Sequence, residues 1–85
     1  MYYVYIVECV DDTYYTGIAK DTQKRIEEHN TSPKGAKYTK ARRPVFLVYE
    51  EPCEDRSSAS KREYAIKKLK RVEKERLVAK YTKAT

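Results

Sequence analysis

Two tyrosines, Tyr5 and Tyr15, stand in two neighbouring runs of β-branched and aromatic residues near the N-terminus. Side chains alternate between the faces of a strand, so pairing of the two runs can bring both phenols together. A phenol, with an ordinary pKa of ~10, acts as a general base only where cations or hydrogen bonds stabilise its phenolate. The alternative is plain cross-strand aromatic packing, and the two tyrosines by themselves leave both interpretations open.

A second pair, Arg25 and His29, is separated by four residues on a predicted helix. This spacing places both side chains on one face of the helix. An arginine fork stabilises anionic phosphate oxygens, and a histidine can orient a water or a phenol or accept a proton. The alternative is ordinary surface polarity.

Glu63 lies on the apolar stripe that Ala59, Ile66 and Leu69 define on a later predicted helix. A carboxylate on that side is costly unless it is paired or binds a metal. Glu63 therefore either binds a hard cation such as Mg²⁺ or Mn²⁺, which keeps most of its water, or forms an ion pair with Arg62 or Lys67. Together, the phenols, the guanidinium and the carboxylate supply the groups that metal-assisted phosphodiester hydrolysis needs.

Positive charge is concentrated in two stretches of the chain. The formal net charge is +6, but residues 1–60 hold nine Lys and Arg against ten Asp and Glu, whereas residues 61–85 hold ten against three. Concentrated basic runs indicate contacts with phosphates, although a solvated helix or loop surface gives the same pattern. The predicted nucleic-acid contacts are Lys34, Lys37, Lys40, Arg42 and Arg43 in the first run and Lys67, Lys70 and Arg71 in the second.

The local patterns predict three strands and three helices that position these residues. The expected fold is α+β, a three-stranded antiparallel sheet flanked by helices in the order β-β-α-β-α-α. The predicted strands are 2–9, 13–19 and 45–49, the predicted helices are 22–30, 58–70 and 72–81, and 31–44 and 50–54 are a loop and a turn.

The length of 85 residues fits a single domain, 1–85, whose site must be a shallow groove rather than a deep cavity. Its two cysteines form no metal-binding or disulfide pattern, which favours a reduced, cytoplasmic setting. We expect no signal peptide and no membrane span.

In their order and spacing these segments resemble the paired motif of the GIY-YIG nucleases. Tyr5 in Val4-Tyr5-Ile6 matches the tyrosine of the first half, and Tyr15 and Gly17 match the tyrosine and glycine of the second. Arg25 to Asn30 resembles the arginine-centred segment of the family, and Ala59-xxx-Glu63 its metal-ligand segment. The loop from Lys34 to Thr39 is similar to that of small stand-alone members, and the resemblance covers about residues 2–80.

The resemblance implies a DNA endonuclease with one Mg²⁺ or Mn²⁺ ion, structure-selective and linked to DNA repair or recombination. Tyr15, with Tyr5, would position or deprotonate the attacking water, Arg25 would stabilise the phosphorane and Glu63 would hold the metal. His29 would support a tyrosine or the nucleophile. One departure is Ile18, which follows Gly17 where excision-repair members carry a lysine nearby, so a lysine-assisted base does not transfer.

Two other functions remain open at this stage. One is a nucleic-acid-binding module with little or no turnover, and the other is an adaptor that docks through Leu77, Val78 and Tyr81, which are also typical core residues. No appended DNA-binding domain is evident, so targeting is expected from the basic loop and tail or from a protein partner.

Overall fold

The computed structural model describes residues 1–84 and contains three strands and four helices. In the described part of the chain, no helix is long and apolar enough to cross a membrane. In chain order the elements are β1 (Tyr2–Glu8), β2 (Tyr14–Ala19), α1 (Thr22–Thr31), α2 (Lys37–Lys40), β3 (Phe46–Cys53), α3 (Arg56–Lys67) and α4 (Arg71–Ala84).

The three strands form one antiparallel sheet in the order β2-β1-β3, which confirms the predicted α+β fold. β1 is central because its middle residues, Val4 to Val7, are apolar on both faces and all four are buried. β2 and β3 are edge strands, each paired only with β1.

One face of the sheet is covered by α3 and α4. Val4 and Ile6 of β1 form a fully buried cluster with Ala59 and Ile66 of α3. Each buried aliphatic side chain of this size contributes about 1.5–3 kcal/mol through the hydrophobic effect. Half-buried residues packed against the cluster include Leu77 and Val78. These two residues therefore lie in the core and do not form a free docking face.

The other face carries α1 and α2 and the phenol of Tyr5. Tyr5 and Val7 form a second buried cluster with Cys9 and Val45, and Ile26 of α1 packs against it. The helices therefore occupy both faces, and α1 is on the opposite side of the sheet from α3.

Some predicted boundaries were wrong. The third strand does not stop at 49 but continues through 50–53, where a turn was expected because of Pro52. β3 has a neighbour on one side only, and an edge strand tolerates a residue without an N–H. The helix predicted over 58–70 begins at Arg56, after the cap Asp55, and ends at Lys67. Leu69 therefore lies in the turn before α4 and not on the α3 stripe.

Candidate active site

The register of the β1–β2 hairpin places Tyr5 opposite Gly17 and Tyr15 opposite Val7. The two tyrosines are therefore diagonal neighbours on one face rather than a direct pair. The Tyr5 ring lies over Gly17, whose missing side chain leaves the space: an added Cβ would lie 2.4 Å from Tyr5 Oη. Gly17 therefore allows the β2 backbone to lie directly against a side chain, the Tyr5 ring.

Helix α1 brings a histidine to this phenol. The helix begins after Asp21, whose side chain accepts a hydrogen bond from the backbone N–H of Lys24. Near its other end, His29 is completely buried, and its Nε2 lies 2.7 Å from Tyr5 Oη. The Tyr15 ring contacts the same imidazole edge-on, with ring centroids 5.4 Å apart. His29 therefore joins the two tyrosines.

The surroundings of His29 fix its tautomer. The backbone N–H of Ala36 donates to Nδ1 at 3.2 Å, so Nδ1 acts as an acceptor and carries no proton. The neutral ring then holds its proton on Nε2 and donates it to Tyr5 Oη. Thr39 is also fully buried, and its single hydroxyl proton is shared between two acceptors, Nδ1 and the carbonyl of Ala36, each 2.9 Å from Oγ1.

Burial, together with the positive charges of Arg25 and Arg43, lowers the pKa of His29 to about 4, despite the opposing charge of Glu28. We expect this single histidine of the chain to stay neutral at pH 5–8. Between pH ~6.5 and ~4 the His29 imidazole becomes protonated in the unfolded chain but stays neutral in the folded one. The free energy of unfolding should therefore fall by about 3 kcal/mol as the pH drops through this range. An NMR titration of the imidazole resonances checks this, and a midpoint near 6.5 would contradict it.

The Tyr5 phenol is held neutral. Burial first, and then the neighbouring Tyr15 and the carboxylate of Glu63, raise the pKa of Tyr5 to about 12, although Arg25 opposes the rise. At pH 7 only about one molecule in 10⁵ carries the phenolate at such a pKa. Because its oxygen accepts from His29, the phenol keeps its own proton for another acceptor.

Arg25 faces the same phenol and is fixed by two partners. Its Nη1 donates to Glu28 Oε1 at 3.1 Å and to the backbone carbonyl of Lys34 at 3.0 Å. The side chain remains 29% exposed, so part of the guanidinium fork is open to solvent. The positive charge of Arg25 acts on both Tyr5 and His29, so the structure brings this predicted group together with both.

Glu63 belongs to the helix layer on the other face of the sheet. It lies on α3, and its side chain is 23% exposed and pairs with Lys67 Nζ at 3.4 Å. Of the two partners considered from the sequence, Arg62 instead binds Glu51. The charge of Glu63 contributes to the raised pKa of Tyr5, although α3 covers the face of the sheet opposite to the one that carries the Tyr5 side chain.

Glu63 suits a hard cation as a single protein ligand. The carboxylate of Glu63 offers oxygen ligands to such a cation. Its i,i+4 ion pair with Lys67 is partly exposed and contributes little free energy, so a cation can replace the lysine at low cost. Within residues 1–84 no group of three His, Cys, Asp or Glu side chains is placed to hold a metal. Mg²⁺ and Mn²⁺ bind through one or two carboxylates and keep several waters.

Of the residues predicted to contact phosphates, some are exposed to solvent and others are hydrogen-bonded within the protein. The exposed ones are Lys34, Lys37, Lys40, Lys67, Lys70 and Arg71. Arg71 also donates to the backbone carbonyl of Asp12 at 2.6 Å. Arg43 differs, because it donates to the carbonyls of His29 and Ser32 at the end of α1. Its guanidinium therefore fastens the loop to the helix, and a phosphate contact by Arg43 stays a prediction.

Three supporting residues were missed by sequence reasoning. Glu28 orients Arg25, Thr39 holds His29, and Gly35 lets the loop approach α1, since a Cβ there would lie 2.8 Å from the carbonyl of Glu28. The i,i+3 spacing of Arg25 and Glu28 was a usable signal. The roles of Thr39 and Gly35 depend on how the loop folds back, which has no local signature.

The fold and the site define a small α+β domain in which hairpin phenols, a helix arginine and histidine, and a carboxylate of a later helix are electrostatically connected. A model of the GIY-YIG catalytic domain matches residues 1–76, and the chain belongs to the GIY-YIG family.

The chain is similar to several small proteins of the UPF0213 group. It is 61% identical over 77 residues to a UPF0213 protein of Desulfotalea psychrophila, with 91% of this chain and 70% of that protein covered. A UPF0213 protein of Staphylococcus aureus is 56% identical, with 91% and 93% covered.

Two solution NMR structures share the fold. The UPF0213 protein from Bacillus halodurans is 45% identical, with a TM-score of 0.58 and 93% of this chain and 84% of that chain covered. A protein from E. faecalis is 41% identical, with a TM-score of 0.62 and coverage of 95% and 85%.

Proposed function

We propose that this protein is an endonuclease that hydrolyses phosphodiester bonds in DNA with one bound Mg²⁺ or Mn²⁺ ion. The observation that carries the proposal is the cluster of Tyr5, Arg25 and His29, in which a neutral imidazole donates to a phenol beside a fixed guanidinium. The membership of the GIY-YIG family supports a nuclease.

Each side chain has a separate task in the proposed reaction. Arg25 binds the non-bridging phosphate oxygens and stabilises the charge that develops on them as the water oxygen bonds to phosphorus. Tyr5 is protonated and 1% exposed, so it does not touch the substrate but, bonded to His29, positions the imidazole and the neighbouring Tyr15. Tyr15 positions the attacking water and passes its proton on to solvent as the new O–P bond forms and the bond to the leaving oxygen breaks, and that oxygen takes up a proton from solvent. Glu63 would hold the metal ion, which would supply positive charge near the leaving oxygen.

The raised pKa of Tyr5 changes the catalytic role that the sequence predicted for this residue. A phenol with a pKa of about 12 is a poor base at neutral pH, so in this proposal Tyr5 acts as a positioning residue. Tyr15 is half-buried and contacts His29 by its edge, so in this proposal it is the phenol that contacts the attacking water.

The test is a cleavage assay of the purified chain on labelled duplex, branched and single-stranded DNA, with Mg²⁺, Mn²⁺ or a chelator. We expect metal-dependent products and a loss of about 10²-fold in rate for Arg25→Ala, the cost of removing one charge-stabilising donor. Arg76→Ala, at an exposed site on α4, is the matched control and should cleave normally. If every substrate remains intact, or if Arg25→Ala cleaves like the wild type, the proposal is wrong.

A nucleic-acid-binding module is the second candidate, and the neutral Tyr5 together with the exposed lysines favours it. In that case no variant changes a cleavage rate, and binding falls steeply with salt because counterions are released. A role in repair or recombination, a targeting partner and a cytoplasmic location stay predictions, and RNA stays open as a substrate. Cleavage of branched DNA bears only on the first of these.

A further inference from the structure

A column of stacked side chains leads from the buried histidine to the surface. The Tyr38 ring of α2 lies nearly parallel to that of Tyr15, at 23° and 5.8 Å between centroids. The guanidinium carbon of Arg42 lies 3.9 Å from the centre of the Tyr38 ring. Tyr15 and Arg42 cover the two faces of the Tyr38 ring, so a planar ligand can stack only on the outer side of the Arg42 guanidinium, whose side chain is 34% exposed.

The outer end of the column is held in place by the fold. Arg42 donates to Asp11 Oδ2 and to the backbone carbonyl of Tyr38, both at 2.9 Å. The backbone of Arg42 also accepts a hydrogen bond from the N–H of Val10. Next to Tyr38, Thr39 is buried against His29. The two planar groups are therefore ordered before any ligand arrives, which reduces the entropy lost on binding.

The charges around this end match a phosphate chain. Lys37 and Lys40 belong to the same single-turn helix as Tyr38 and both are exposed, and Lys34 is exposed in the loop before them. The nearby carboxylate of Asp11 is neutralised by its ion pair with Arg42 at 2.9 Å. Flat aromatic and guanidinium surfaces within a positive field bind bases and backbone of single-stranded nucleic acid. In a closed duplex the bases stack on one another and cannot reach such a surface.

We propose that the Arg42 guanidinium, supported by the Tyr38 ring beneath it, is a stacking site for an unpaired nucleobase, next to the phosphate that Arg25 binds. The preferred substrate is then a strand with unpaired nucleotides beside the cleaved bond. This inference rests on the proposed function for its link to cleavage, but the stacking site itself can be tested by binding alone.

The test measures binding by fluorescence anisotropy without metal, using labelled oligo(dT), oligo(U), a strand of equal length and charge made of abasic units, and a closed duplex. We expect the wild type to bind oligo(dT) about tenfold or more tightly than the abasic strand, since stacking adds to the charge attraction. Tyr38→Ala should remove this difference, and Tyr38→Phe should keep it. The oligo(U) arm reports whether ribose strands use the same site.

Tyr64→Ala is the matched control. Tyr64 is 62% exposed on α3 and also carries a cation, Lys68 Nζ at 4.4 Å from its ring centre, but it lies outside the column. It should bind all strands like the wild type. Circular dichroism verifies the fold of each variant, and if Tyr38→Ala does not fold, the wild-type comparison of oligo(dT) with the abasic strand decides the matter without any variant.

Equal wild-type affinity for oligo(dT) and the abasic strand would overturn the stacking site, and so would unchanged oligo(dT) binding by folded Tyr38→Ala. The two proposals fail separately. Cleavage of closed duplex with no base-dependent binding refutes the stacking site and leaves the nuclease. Base-dependent binding with no cleavage of any substrate refutes the nuclease and leaves the stacking site.

Discussion

Replacing Glu63 with glutamine is expected to lower metal-dependent cleavage by about 10³-fold or more, because a neutral amide is a much weaker ligand for a hard cation. The fold should survive, since the side chain is partly exposed and its ion pair with Lys67 contributes little. DNA affinity measured in the presence of a chelator should also be unchanged. The measurement is single-turnover cleavage across a range of Mg²⁺ and Mn²⁺ concentrations.

A matched glutamate separates the loss of a ligand from a general loss of charge. Glu54 is exposed immediately after β3, and Glu54→Gln changes the net charge by the same amount. It should cleave at the wild-type rate. Wild-type cleavage by Glu63→Gln would remove this residue from the proposed metal site, and a parallel loss in both variants would indicate an effect of net charge.

Adding a methyl group at Gly17 is expected to disturb both the fold and the site. The new Cβ would lie 2.4 Å from Oη and 2.6 Å from Cζ of Tyr5, a buried and rigid ring. Overpacking of this kind costs about 1–3 kcal/mol of stability, measured by urea unfolding. Displacement of the phenol from His29 should also lower cleavage about 10²-fold, because reacting groups misplaced by an ångström react slowly.

A double-mutant cycle identifies the cause of that loss. In a Tyr5→Ala background the ring is gone, so Gly17→Ala should cost much less stability than it does in the wild type. An equal cost in both backgrounds would mean that the methyl group acts elsewhere. Strain of the backbone is not the reason here, since no glycine among the described residues has a positive φ.

Much of the site was predictable because its members sit in regular elements. The i,i+4 spacing of Arg25 and His29 does place both beside Tyr5, and Glu63 does lie on the inward side of α3 with its Lys67 pair. The tautomer of His29 was not predictable, because Ala36, one of the groups that set it, belongs to a loop. The raised pKa of Tyr5 likewise follows from burial by distant segments.

The basic loop shows the same division. Its charge identifies it as a surface for phosphates, but nothing local distinguishes Arg42, stacked on Tyr38, from Arg43, bound to the end of α1. Adjacent arginines acquire different tasks because the chain directs one outward and the other toward helix carbonyls. Pro52 gave a wrong end for the third strand for a related reason. Proline lacks an N–H, and the free-energy cost of that in a strand depends on whether the strand has a second neighbour.

The sequence by itself determined the order of the three strands and the three longer helices, since the period of apolar residues and the capping side chains act within a few residues of each other. It also supplied the phenols, the guanidinium and the carboxylate at fixed positions along those elements. Only the tertiary structure decided that α1 and α3 cover opposite faces of the sheet and that a phenol lies over Gly17 to reach His29. These contacts join residues that are distant in sequence, and their free energy is gained only when the whole sheet has formed.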